Sequence, residues 1–417
     1  MAGVTRWRRR LDFFIDQFTG DYDLDPEVRD ILRMGVFELL VLKKPAHIMS
    51  DHVELTKFCS NVGASKLVNG VLRNVARDQE DGALPQPPKP SSLETDGDRY
   101  LLADALGIQF SHPTWMVTRW MRRFGPKDTL RLLSHNNRPP TFGLRVNARR
   151  GQTVPGLVDV LKREGVDAVP SEHLPQDFVK VKAGLQVALR GGLLRDGACA
   201  VQDESAGLVV ALLDPQPGDR VLDACAAPGG KSLFAASRVG DAGGVLCLDI
   251  SEARLGALRN QAERLGLGAV VRTHATDFRA FPDEVAAQGR ELRFDRVLID
   301  APCSGLGVLA KRADLRWRRT PREIEELKEL QAELLRAAVG FVKPGGHLVY
   351  STCSIEPDEN EAIVEAFLAD NPAFALVEAA GVVDPSLTRC DGKYLGTLPF
   401  THGGMDGAFG ALLRKVG

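Results

Sequence analysis

Apolar positions recur at helical spacing through residues 1–85, in stretches such as VRDILRMGVFELLVL and HVELTKFCSNVGASKLVNGVLRNVARD. No alternating strand pattern interrupts them. The stretch DGALPQPPKPSSLETDGD, rich in Pro, Gly, Ser and Asp, then predicts a linker or surface loop, placed at 86–100. Residues 101–198 are mixed. WMVTRWMRRFG and TLRLLSHN read as helical, and TFGLRVN, DFVKVK and QVALRG as short strands, with the helix TVPGLVDVLKREG between the first two strands. Across 199–417 strand patterns (RVLDAC, GVLCLDI, VVRTHATD, DRVLIDAP, GHLVYSTCS) alternate with amphipathic helices. That alternation predicts a parallel, doubly wound, Rossmann-like α/β sheet, which binds ligands at the carboxyl ends of its strands.

A chain of 417 residues exceeds one ordinary core, and 44% apolar with 26% charged residues is a globular profile, so two or three domains are expected. No apolar run is long enough to span a bilayer, and MAGVTRWRRRLDFF lacks the apolar segment and cleavage site of a secretory signal. The formal net charge is only −2, so a nucleic-acid surface must come from local clustering. One such cluster exists. From His112 to Arg150 there are nine Lys/Arg and one acid, Asp128, with Trp115, Trp120 and Phe142 interleaved. Arginine contacts to phosphates with aromatic stacking suit single-stranded RNA. Seven cysteines form no CxxC pair and no zinc-ligand spacing, which predicts no metal and reduced thiols in a cytoplasm. Cys59 and Cys247, within apolar patterns, read as small core residues.

The strand ends carry the chemistry. RVLDAC runs into AAPGGKS and a helix, so small residues allow close backbone approach and the helix offers free N–H groups. The glycine spacing fits neither the dinucleotide fingerprint nor a P-loop, which points to a ligand with a carboxylate instead of a pyrophosphate. Four successive strands are expected to end in an acid: Asp223, Asp249, Asp277 and Asp300. Such a row suits a ligand with a ribose, an amine donor and a positive or neutral centre. S-adenosylmethionine has all three. The thiols Cys303 and Cys353 follow the fourth and fifth strands, which are expected to be neighbours, so both converge on one cavity.

The motifs DACAAPGGKS, DAPCSGLGVL and YSTCSIEPDENE resemble those of the RNA 5-methylcytosine methyltransferases. LRMGVFELLVLKKPAHIMSDHVELTK and LVNGVLRNV resemble a NusB-type RNA-binding helical domain, and HPTWMVTRW with LRVN resembles the segment that joins it to the catalytic domain. The whole arrangement is similar to the RsmB/Sun (Fmu) family of bacterial 16S rRNA methyltransferases. The resemblance implies Cys353 as the nucleophile on C6 of a flipped cytosine and Cys303 as the thiol that assists release. It implies Asp300 on the base at N3 and its amino group, Lys231 beside that carboxylate, and Pro302 shaping the base pocket. Cys225, Ala226, Ala227, Pro228, Gly229, Gly230 and Lys231 would hold the methionine part of S-adenosylmethionine. Asp249 would take the ribose hydroxyls and Asp277 the adenine amine. Asp300 belongs to both the catalytic and the cofactor set. The basic run KRADLRWRRTPR, after Gly307, is expected to touch RNA phosphates.

Three positions depart from the family pattern. The helical domain starts at RWRRRLDFFI, in the place of its third helical segment, which predicts a shortened domain or a misassigned start. Ala313 stands where a proline is usual, and Ala408 where an aromatic often follows Asp-Gly; the last strand is still expected to form. The expected protein is a monomeric cytoplasmic enzyme acting on 16S rRNA. A tRNA cytosine-C5 methyltransferase and a non-catalytic RNA-binding assembly factor are the alternatives. The NusB-like region speaks against the first, the paired thiols and four aspartates against the second.

Overall fold

The computed structural model describes residues 2–20, 22–88 and 99–416, so most of the expected linker lies outside the described residues. The chain divides into two compact units, Met1–Arg138 with Leu309–Arg318, and Pro139–Val308 with Arg319–Gly417.

The first unit is helical. Helices Ala2–Thr19, Pro26–Leu40, Met49–Cys59 and Val62–Glu80 enclose a core that includes Leu11, Ile15, Leu32, Val36, Val68 and Leu72. The apolar pattern expected to run from residue 52 to 78 is thus two helices. Asn61 caps the second through a bond from the Ala64 amide. Cys59 ends the first and is exposed, not core. Helices Arg99–Gln109 and Thr114–Asn137 complete the N-terminal part. The latter is broken at Gly125, whose φ of 73° precedes Pro126, a residue that cannot continue a helical bond ladder.

Leu309–Arg318 also belongs to this unit. Arg316 is fully buried there, donating to the carbonyls of Arg6, Ser111 and Asn136 and to Asn137 Oδ1 at 2.6–3.2 Å. Burial pushes its guanidinium down to about 9. Trp317 Nε1 donates to Thr5 O at 2.6 Å. The expectation that KRADLRWRRTPR faces phosphates therefore fails at Arg316, whose terminal donors are taken up by three backbone carbonyls and the Asn137 amide oxygen.

The second unit holds two sheets. Strands β1 (Phe142–Val146), β2 (Asp167–Pro170), β3 (Phe178–Ala183) and β4 (Cys199–Val201) form an antiparallel sheet in the order β2-β3-β1-β4. The helix Val154–Arg163 follows β1, as its pattern predicted. QVALRG is not a strand but the helix Leu185–Arg190. The large sheet contains β5 (Arg220–Asp223), β6 (Gly244–Asp249), β7 (Val271–Ala275), β8 (Phe294–Asp300), β9 (Val342–Thr352), β10 (Phe374–Val377), β11 (Thr388–Arg389), β12 (Tyr394–Thr397) and β13 (Ala408–Lys415). Its order is β11-β12-β13-β9-β8-β5-β6-β7, with β10 also on β13.

Strands β5 to β9 are parallel, and β13 returns antiparallel to β9, so the last strand forms with Ala408 in place. Their near-continuous apolar runs are those of strands covered on both faces. Alternate residues serve two cores. Val221, Val245, Leu298 and Val349 enter one, Leu222, Leu248, Val297 and Leu348 the other. The strand order reverses between β5 and β8, and this switch point opens a crevice beyond the strand ends. Asp223 and Asp300 close those two strands.

Candidate active site

Every residue of the expected site lies in the second unit. Asp223, Asp249 and Asp300 end β5, β6 and β8 as predicted. Asp277 does not end its strand. β7 stops at Ala275, and the Asp277 carboxylate is held by the guanidinium of Arg279 at 2.6 Å, which keeps its carboxyl below the usual range.

After β5 the chain turns through Ala224–Gly229 into the helix Gly230–Val239. The Ala224 and Ala226 amides bond Leu298 O and Leu248 O at 2.9 and 2.8 Å, tying the loop to both neighbouring strands. Gly229 has φ 108°, and a Cβ there would stand 2.6 Å from Leu258 Cγ, so both backbone and space call for glycine. Asp249 Oδ2 accepts the Ala227 amide at 3.2 Å and Oδ1 the Ser251 amide at 2.9 Å. Arg254 bonds Ala227 O and stands 3.5 Å from Asp249. Asp223 is buried beneath the loop, accepting from Ser232 Oγ at 2.6 Å. Burial pushes its carboxyl up to about 7, with the charge of Asp300 adding to the effect. Burial also drives the thiol of Cys225 upward.

Lys231 Nζ lies 2.7 Å from Asp300 Oδ2, and Ser351 Oγ donates to Asp300 Oδ1 at 2.9 Å. Burial disfavours the Lys231 charge, but the charge and hydrogen bond of Asp300 outweigh it, and the ammonium is held above its ordinary range. Cys303 Sγ and Cys353 Sγ, in the loops that follow the neighbouring strands β8 and β9, are 3.3 Å apart. The bond to Cys353, then burial, pushes the Cys303 thiol well up.

Sequence reasoning missed what holds the two thiol loops together. Glu359, fully buried, accepts the Ser304 amide at 2.7 Å, the hydroxyls of Ser304 and Ser354, and Gln331 Nε2 at 3.2 Å. Arg319 donates to the carbonyls of Ser304 and Cys303 at 2.9 and 3.2 Å, so this arginine of the basic run grips a loop rather than a phosphate. Gly307 N donates to Cys353 O at 3.0 Å and Gly407 N to Gly307 O at 2.9 Å. Serines beside both thiols and an acid in EPDENE were the available signal. The expected stacking surface changes too. Trp120 is fully buried, and the Arg145 guanidinium is buried over the Phe234 ring at 4.9 Å.

A family model described as 16S rRNA methyltransferase RsmB/F matches residues 210–414. The NusB family model matches 1–77, and a model of the RsmF/B-like ferredoxin-like domain matches 112–187. The Probable ribosomal RNA small subunit methyltransferase B of Bacillus subtilis (strain 168) is 32% identical over 421 residues, covering 100% of this chain and 89% of that protein. The chain belongs to the RsmB/F methyltransferase family.

Ribosomal RNA small subunit methyltransferase B of Salmonella arizonae is 35% identical, covering 99% of this chain and 88% of its own. The solved structure of PH0851 superposes with a TM-score of 0.82 at 28% identity, covering 99% of this chain and 88% of that one. This RsmB/F-family chain uses S-adenosylmethionine. Its residues fit that cofactor, because the Gly229 turn leaves a loop without bulk at the switch point, flanked by the Asp249 carboxylate. Among the described residues no His/Cys/Asp/Glu group could hold a metal ion, and no helix is long and apolar enough to cross a membrane.

Proposed function

We propose that this methyltransferase modifies C5 of a cytosine in small-subunit rRNA, in the cytoplasm, through a covalent bond from Cys353 to C6. One observation carries the reading: two thiols 3.3 Å apart share a crevice with an aspartate–lysine pair. An N-methyltransferase needs neither thiol.

C5 of cytosine is a poor nucleophile. In this reading the Cys353 thiolate adds to C6, an S–C bond forms, and the C5=C6 electron pair gives C5 enamine character. Cys303 donates its S–H to that thiolate beforehand and so stabilises it. Asp300 bonds the base at N3 and the amino group, favouring the N3-protonated ring, and Lys231 balances the carboxylate charge. Bound S-adenosylmethionine supplies an electrophilic methyl group next to C5. Once Cys353 sulfur is a neutral thioether, its hydrogen bond and charge no longer hold the proton on Cys303. Cys303 passes its proton to solvent, its thiolate takes the C5 proton, and C5=C6 re-forms as the S–C6 bond breaks and Cys353 leaves as a thiolate. The segment 225–231 would hold the methionine part, Asp249 the ribose and Asp277 the adenine amine, the last after Arg279 yields.

Bisulfite sequencing of rRNA and tRNA from a deletion strain tests the reading. Loss of one 5-methylcytosine in 16S rRNA is expected. An unchanged rRNA pattern, or a loss confined to tRNA, overturns it.

A further inference from the structure

Gln202, outside every motif read above, stands against the cofactor loop, held by Arg145. Gln202 follows β4 and is 6% exposed, and its Nε2 is buried with no partner. Its Oε1 accepts from Arg145 Nε at 2.8 Å. A guanidinium can only donate, so the amide oxygen must face Arg145, and the amide N–H groups must point the other way. The amide packs on the cofactor loop: a Cβ on Gly230 would stand 3.7 Å from both Cδ and Nε2 of Gln202. Gly230 opens the ten-residue helix Gly230–Val239, whose first N–H groups also point outward.

The arrangement is built rather than accidental. Gln202 N donates to Gly143 O at 3.0 Å, and a Cβ on Gly143 would collide with the Gln202 carbonyl, so β1 carries glycine where the chain comes close. Arg145 pairs with Ala200 in the β1–β4 ladder. Burial lowers the Arg145 guanidinium to about 10, which leaves it charged at neutral pH. A buried amide donor without an acceptor is costly unless a ligand supplies one. A carboxylate oxygen suits this place, because the amide N–H groups of Gln202 and the first amides of the helix lie together there.

We propose that Gln202, oriented by Arg145, donates its amide N–H to the carboxylate in the methionine part of S-adenosylmethionine. The small antiparallel sheet thereby forms a wall of the cofactor site. The proposal rests on the placement of the methionine part at 225–231 given above.

The test is titration calorimetry with two probes, S-adenosylhomocysteine and 5′-methylthioadenosine. The second carries adenine and ribose but no amino-acid part. Gln202→Met, which keeps the volume, weakens S-adenosylhomocysteine by about 10- to 100-fold, the worth of a hydrogen bond to a charged group. It leaves 5′-methylthioadenosine within about twofold, since nothing it contacts is removed. Gln202→Glu weakens S-adenosylhomocysteine further through like-charge repulsion. Equal losses for both probes, or none for either, overturn the role of Gln202. Asp249→Asn serves as the independent arm. It weakens both probes if ribose and loop are placed as proposed, and if it weakens neither, the placement itself falls and the role of Gln202 with it.

Discussion

The sulfurs of Cys303 and Cys353 stand 3.3 Å apart although fifty positions separate them in the chain. The contact follows from β8 and β9 being parallel neighbours that end level, with Asp300 opposite Ser351. In the proposed reaction Cys353 is the sulfur that attacks C6, and Cys303 beside it takes the C5 proton. Cys353→Ala therefore removes methyl transfer from tritiated cofactor to substrate RNA, by at least about 10⁴-fold. Turnover retained in this variant would falsify the assignment.

In the proposed reaction, Cys303→Ala keeps the attacking thiol and loses the group that takes the C5 proton. Methylation proceeds once and release stalls. A retarded RNA–protein band on a denaturing gel is expected, dependent on both cofactor and substrate RNA. Free protein alone on that gel rules the role out.

Much of the centre was legible because parallel strands buried on both faces write near-continuous apolar runs. RVLD, GVLCLD and DRVLID each stop at the acid that ends the strand. VVRTHATD misled because its strand frays at Ala275, two residues before the acid, and Arg279 then claims the carboxylate. QVALRG is too short for periodicity to decide, and Gly184 at φ 83° followed by Gly191 frames a helix there instead. The arginines were least legible. Composition shows charge but not partners, and those of Arg316 come from positions 6, 111, 136 and 137. Trp120 likewise meets His112 edge-on at 5.8 Å inside the core rather than a base.

Glu359 joins the two thiol loops by accepting from Ser304, Ser354 and Gln331. Glu359→Ala orphans several buried donors and is expected to lower stability by about 3 kcal/mol or more. Glu359→Gln retains one acceptor oxygen and loses less. Urea denaturation of both variants measures this, and equal midpoints for Ala and wild type contradict it.

Asp223 gives the stability a sign with pH. Its carboxyl rises from 3.8 to about 7 on folding because it is buried. Between those values the native state holds a proton that the unfolded state has lost, so stability falls as pH rises through this window. The contribution is complete below the lower value and gone above the upper one, with a ceiling of about 4 kcal/mol. Asp223→Asn cannot ionise. In thermal melts without cofactor, the variant should gain on wild type as the buffer moves from about pH 5 to about pH 8. A constant gap across that range sinks the prediction.

Gly307 sits where the two thiol loops and the segment before β13 meet. A Cβ there would stand 2.5 Å from Gly407 O and 2.7 Å from Cys353 O, and both are backbone atoms that cannot swing aside. Gly307→Ala is therefore expected to separate the Cys353 loop and the segment before β13 from the Cys303 loop while leaving the loop at 225–231 in place. A shift approaching an ångström at the Cys353 sulfur costs about 100-fold in turnover in the proposed reaction. Methyl incorporation should fall by that order while calorimetry with S-adenosylhomocysteine returns the wild-type affinity. Loss of cofactor binding in parallel with turnover would mean that the substitution unfolds the switch-point crevice as a whole, and that the separation of thiol loops from cofactor loop is wrong.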